Sequence, residues 1–167
     1  SEFLRVVSFT DDMQKQRYNV YSKVLKFEVV SPKKEVAKSL KINVNDKVFR
    51  LNRIRFANDI PMAIQDSYII YGYCPTLSDY DFSTESLYRT LENVFNLKLS
   101  YANNILEARL TTKEEIKVFN IKKPIPVFIL NQTTFLETGK PIEFVRSIHR
   151  SDKYKFFNIA VGREIKK

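Results

Sequence analysis

Arg53 and Arg55 stand two residues apart in the stretch RLNRIRFANDIPMAIQDSYI, residues 50–69. Side chains alternate between the two faces of a strand, so on a strand this pair shares one face. A guanidinium presents a planar fork of donors matched to phosphate or carboxylate oxygens, and the chemistry offered is capture of an anion. Further along, Ser83-Thr84-Glu85-Ser86 precedes a helical pattern. Hydroxyls and free backbone N–H groups at a helix start are a second way to hold an anion. Spacing alone leaves another reading open, in which the arginines pair with surface carboxylates and Ser83 only caps its helix.

The elements that must position these groups follow from the apolar pattern. Residues 47–56 and 61–70 read as two strands of a hairpin around Asn58-Asp59. A two-residue turn would set Arg55 against Met62 and Arg53 against Ile64, charge against apolar side chain. A three-residue loop shifts the pairing by one, placing Phe56 opposite Met62 and Ile54 opposite Ile64 on one face. Arg55 then faces Ala63, Arg53 faces Gln65 and Leu51 faces Ser67 on the other. Register follows the buried pattern, so the second arrangement is expected, with the apolar set under helices and the arginines beside Gln65 and Ser67. In PIEFVRSIHR (141–150), Glu143, Val145, Ser147 and His149 share one side of a further strand. If the two hairpins are neighbours, Glu143 and His149 approach the arginines.

The chain repeats itself. Between residues 34–56 and 113–135, at a constant offset of 79, nine of 23 positions are identical, among them Lys34/Lys113, Asn52/Asn131 and Phe56/Phe135. Each copy is preceded by a strand (20–30 and 99–109) and followed by a turn to a proline, Pro61 or Pro141, that opens another strand. The unit is strand–helix–strand–strand, present twice. It implies an α+β domain over residues 1–167 with six strands, a mainly antiparallel sheet and helices on one face. The first of the two repeated helices is expected to start at Ser31-Pro32 and run through Leu40. An unrepeated helix is expected within 82–95, capped by Ser83 or Thr84, and an opening helix with Ser8 or Thr10 as its cap.

Composition narrows the function classes. With 44% hydrophobic and 13% aromatic residues and only three glycines, the chain is a globular domain and not a disordered one. Its apolar runs are too short to span a bilayer and no signal-peptide pattern begins it, so no membrane partner is expected. The single Cys74 cannot form an internal disulfide, which fits a reducing cytoplasm. One histidine and no Cys-x-x-Cys leave no metal site, and no cofactor motif is present. The net charge of +9 is spread along the sequence without a basic DNA-binding motif, and reads as a solvated basic surface that favours anionic ligands.

From about Ser8 onward the sequence resembles the UTRA domain, the effector-binding half of HutC-type GntR-family bacterial transcription regulators. RIRFANDIPMAIQDSYI resembles the family's Arg-x-Arg strand, turn and Pro-x-x-x-Glu-x-x-Tyr strand. SLYRTLENVFNLKLSYANNILEA resembles its central helix and following strand, and GKPIEFVRSIHRSDKYKF its closing motif. The resemblance implies a chorismate-lyase-like fold, a homodimer, and a winged helix-turn-helix domain preceding this one that binds operator DNA. It also implies that a small anionic effector, a sugar phosphate in the first place, is held by Arg53 and Arg55 with Ser83, Thr84 or Ser86, while Glu143 accepts hydrogen bonds from it. Gln65 stands where the family usually has Glu, and His149 where Tyr is common. His149 is therefore either a ligand contact or a core histidine satisfied by a neighbour. Arg150, Asp152 and Tyr154 are expected in a structural salt bridge or a dimer contact.

Two functions compete. A ligand sensor binds its effector over the sheet and undergoes no chemistry, while a chorismate-lyase-like enzyme would act on a small anionic substrate. No nucleophile–base arrangement is visible in the sequence, and Gln65 removes one candidate carboxylate, so the sensor is the expected reading.

Overall fold

The computed structural model describes residues 19–155; the expected opening helix around Ser8 and Thr10 lies outside them. Six strands form one antiparallel sheet: β1 (Val20–Val30), β2 (Val48–Ala57), β3 (Ile60–Ile70), β4 (Leu99–Leu110), β5 (Pro126–Leu136) and β6 (Pro141–Arg150). Their spatial order is β1-β2-β3-β6-β5-β4. The last strand of each repeated unit, β3 or β6, therefore lies at the centre, and a pseudo-twofold axis runs between the two. Among the described residues there are three short α-helices, α1 (Lys34–Leu40), α2 (Leu87–Asn93) and α3 (Lys113–Val118), and two 3-10 turns, Tyr71–Tyr73 and Leu77–Asp79.

The hairpin register is the expected one, reached by a different route. Arg55 pairs with Ala63, Ile54 with Ile64, Arg53 with Gln65 and Leu51 with Ser67, but Phe56 pairs with Pro61 and not with Met62. Asn58 and Asp59 both have positive φ (48° and 64°), the geometry of a two-residue type I′ turn. A bulge at Met62 then supplies the one-residue shift that a three-residue loop would have given. Phe56 instead stacks on Tyr21 of β1, ring centroids 4.9 Å apart.

Helices cover both faces, contrary to the expectation of one. Val36 and Leu40 of α1 pack on Val48, Tyr68 and Phe144, while Phe119 after α3 packs with Ile64, Val127, Ile129 and Ile148. All of these sheet residues point to the face opposite the arginines. The arginine face is itself apolar at one end, where Phe49, Leu51 and Ile69 form the largest core with Leu77, Phe82, Leu87 and Leu91. That surface also has to leave water, and the unrepeated segment 71–98, with α2, roofs it. The lysines that are scattered in sequence gather on the other side. Lys33, Lys34, Lys38, Lys41 and Lys47 around α1, and Lys113, Lys117, Lys122 and Lys123 around α3, are all exposed.

Two helix starts differ from expectation. α1 begins at Lys34, with Pro32 outside it. α2 is capped by Ser86, whose side chain accepts from the Arg89 N–H, and not by Ser83 or Thr84. The reason is Asp81, whose Oδ1 accepts from both the backbone N–H (2.9 Å) and the hydroxyl (2.6 Å) of Ser83. This local turn competes with helix for the same backbone groups and delays the helix by three residues.

Candidate functional site

A cavity of about 90 Å³ lies between the arginine face and α2. Its floor comes from four strands: Arg53 and Arg55 of β2, Gln65 and Ser67 of β3, Glu143, Val145, Ser147 and His149 of β6, and Leu130 and Gln132 of β5. The roof gives Ser86, Leu87 and Tyr88, and Tyr154 adds a side wall. These floor residues come together because β3 pairs with β6, which sets Gln65 opposite Ser147 and Ala63 opposite His149.

Both arginines are buried, at 2% and 4% exposure. Arg53 reaches the Phe82 carbonyl with one Nη at 3.4 Å, and its Nε has no hydrogen-bond partner among the described residues. An Nη of Arg55 donates to Gln65 Oε1 at 3.2 Å, and Gln65 Nε2 donates to Ser147 Oγ at 3.2 Å, a chain crossing three strands. Burial lowers Arg53 to about 10, opposed by the Glu143 and Tyr88 charges, and lowers Arg55 well below the usual arginine value, assisted by the charge of Arg53. A guanidinium does not deprotonate at neutral pH, so the cavity holds two cations against one lining carboxylate. Glu143 is 2% exposed and accepts from Tyr88 Oη at 2.6 Å and from the Ser67 side chain. Burial raises its pKa, and the Tyr88 hydrogen bond, the Arg53 charge and Ser67 oppose the rise. Paired guanidinium groups on one buried face suit an anion, which each can hold through charge-assisted hydrogen bonds, and the Arg53 Nε is still open to one.

His149 is 3% exposed and stacks on Tyr154, centroids 4.6 Å apart. Burial, helped by the Arg55 charge, pushes its pKa down to about 4, so the ring is neutral at pH 7. Arg150 and Asp152 form a two-pronged salt bridge at 3.0 and 2.9 Å. Tyr154, grouped with them in the sequence reading, lines the cavity.

Of the residues singled out from the sequence, Arg53, Arg55, Gln65, Ser86, Glu143 and His149 line one cavity. Ser83 and Thr84 do not; Ser83 is tied to Asp81 and Thr84 is exposed. The sequence reading missed Tyr88, whose hydroxyl also accepts from Gln132 Nε2 (2.8 Å) and lies 3.1 Å from Thr134 Oγ1. A signal existed for the last two. Gln132 and Thr134 stand 79 residues after Arg53 and Arg55, so the repeat that placed the arginines on this face also places them there. Tyr88 belongs to the unrepeated segment and had no such marker.

Comparison with known proteins shows what the chain is similar to. The UTRA domain family model matches residues 15–155. The HTH-type transcriptional repressor NagR of Bacillus subtilis is 31% identical over 151 residues, covering 90% of this chain and 62% of NagR. The mannosyl-D-glycerate transport/metabolism system repressor MngR of Escherichia coli is 24% identical over 159 residues, covering 95% of this chain and 66% of MngR. The chain thus spans somewhat less than two thirds of these relatives. In structure, the effector domain of PhnF from Mycobacterium smegmatis superposes with a TM-score of 0.85 at 17% identity, over 93% of this chain and 95% of that one. A family model that takes in both hairpins, the roof and every cavity-lining residue identifies the chain as a member of the UTRA-domain family.

Proposed function

We propose that this chain is the effector-binding and dimerisation domain of a HutC-type GntR-family transcriptional regulator. A small anionic metabolite, most simply a sugar phosphate, binds over the sheet and controls operator binding by a winged helix-turn-helix domain that precedes this one in the whole protein. The single observation that carries the reading is the pair of buried arginines facing one carboxylate in a cavity. Arg53 and Arg55 take the anion, assisted by Ser86, and Glu143, Gln65 and the neighbouring hydroxyls take the ligand's neutral polar groups. MngR, named for a mannosyl-D-glycerate system, concerns a sugar joined to a carboxylate, which is chemistry of the same class. NagR and MngR are named as repressors. Sensing without turnover therefore fits better than catalysis. The dimer is supported by β4, an edge strand with Ile105, Leu106 and Leu110 exposed by 64%, 51% and 61%. Unprotected apolar edges of this kind seek a second chain.

The test is thermal unfolding in a panel of hexose phosphates, their unphosphorylated sugars and inorganic phosphate. The expected result is a rise in Tm of several degrees with at least one phosphate, absent with the parent sugar and lost in Arg53→Ala. Equal stabilisation of wild type and variant would refute the site, and turnover of a phosphate without stabilisation would refute the function.

A further inference from the structure

The cavity's floor is built by the duplicated unit and its roof by the unrepeated segment. Two of the polar ties between them end on Arg53 and Glu143, floor residues to which the proposed function gives the ligand. Arg53 donates to the Phe82 carbonyl of the roof segment. Tyr88 of α2 donates to Glu143 Oε1 at 2.6 Å, the shortest side-chain hydrogen bond in the cavity. The phenol is saturated, since it also accepts from Gln132 and lies against Thr134. Among the described residues, the Tyr88 and Ser67 hydroxyls are the side-chain hydrogen-bond donors to Glu143. A fully buried carboxylate needs such donors, and a hydroxyl is what a sugar would bring.

We propose that Tyr88 is an internal stand-in for a ligand hydroxyl. It occupies Glu143 and anchors α2 to the sheet, and a hydroxylated anion seated on Arg53 and Arg55 displaces it, freeing the roof helix. This rests on the anionic-effector reading above. The exchange replaces one O–H···carboxylate bond by another of the same charge-assisted kind, so the balance is set by the anion's bond to the arginines. A cavity of about 90 Å³ also lies well below the ~300–1,000 Å³ of ordinary small-molecule pockets. Outward movement of the roof would enlarge it for an effector, and Tyr88 is the roof's hydrogen-bonded link to the carboxylate. Occupancy is thereby coupled to the position of α2 through one side chain, and the effector's differential affinity for the two roof positions drives the change.

Hydrogen exchange followed by mass spectrometry on wild type and Tyr88→Phe tests this, with circular dichroism confirming that the variant folds. Without ligand, the amides of residues 87–93 should exchange about tenfold faster in Tyr88→Phe while β3 and β6 keep their protection. A hexose phosphate that stabilises wild type should bind Tyr88→Phe about tenfold more tightly, because the competitor is gone, and should speed exchange over 87–93 in wild type. Inorganic phosphate, which reaches the arginines without offering sugar hydroxyls, should leave that exchange unchanged. Thr134→Val, which removes one neighbour of the phenol and keeps its bond to Glu143, should move exchange in the same direction by less. Unchanged exchange over 87–93 in Tyr88→Phe, or weaker hexose phosphate binding by it, overturns the proposal. If no phosphate binds wild type, the effector reading fails and displacement with it; the ligand-free exchange then judges the anchor alone.

Discussion

The two copies of the strand–helix–strand–strand unit share a backbone and divide the labour. On the cavity face, Arg53 and Arg55 of the first copy correspond to Gln132 and Thr134 of the second, and Ala63 and Ile69 correspond to Glu143 and His149. One copy supplies the cations and the Gln65 amide, and the other the carboxylate, the Gln132 amide and the imidazole. A symmetric pair of sites would have set four arginines around the axis with nothing to oppose them, at a desolvation cost of several kcal/mol per charge. Divergence on one face turned a symmetric frame into a single polar cavity with a cationic end and an accepting end. The outer strands diverge too. β1 carries Lys23, Lys26 and a bulge after Val24, and its Ser22 N–H is taken by the Ser83 carbonyl at 2.7 Å. β4 has no lysine, and both faces of residues 103–108 are exposed.

The largest effect that would break this comparison concerns the two edges. Ile105→Lys with Leu106→Lys should weaken self-association at least 100-fold, about 3 kcal/mol, by sedimentation. Leu25→Lys on the protected β1 edge should leave it unchanged, and equal effects would mean that the edges are equivalent. The next tests His149 against Ile69, its apolar counterpart. The folded pKa of His149, about 4, lies below the ordinary 6.5, so the fold favours the neutral ring. Its contribution is whole above pH 6.5 and is lost as pH falls towards 4, up to about 3 kcal/mol. Urea unfolding of wild type and His149→Gln across that window should show the wild type losing more stability by that difference, and parallel curves would contradict it. The smallest effect sets α3 against α1. Thr112 caps α3 in a reciprocal capping box with Glu115, whereas Lys33 holds the matching extended geometry before α1 with no side-chain cap. Thr112→Ala should cost about 1 kcal/mol and Lys33→Thr should gain about 0.5 kcal/mol in urea unfolding.

Much of the frame was legible because it rests on periods and repeats. The alternation of residues 50–56 fixed which side chains share a face with Arg53. The 79-residue offset gave six strands in two units. Legibility stopped where two local devices give the same outcome. A three-residue loop and a type I′ turn with a bulge at Met62 yield one register, and only the backbone distinguishes them. It stopped again at Ser83, where the Asp81 carboxylate draws the backbone into a turn that the cap pattern alone does not reveal.

By itself, the sequence determined the sheet, its duplication and the pairing of Arg53 and Arg55 on one face, because side-chain alternation and apolar periodicity are local rules. Only the tertiary structure decided that this face is covered and not solvated. The apolar end of the same face, Phe49, Leu51 and Ile69, has to be sheltered from water, and the segment that shelters it carries Tyr88 onto Glu143. Two arginines that would be ordinary surface charges on an open sheet are thereby buried beneath a roof.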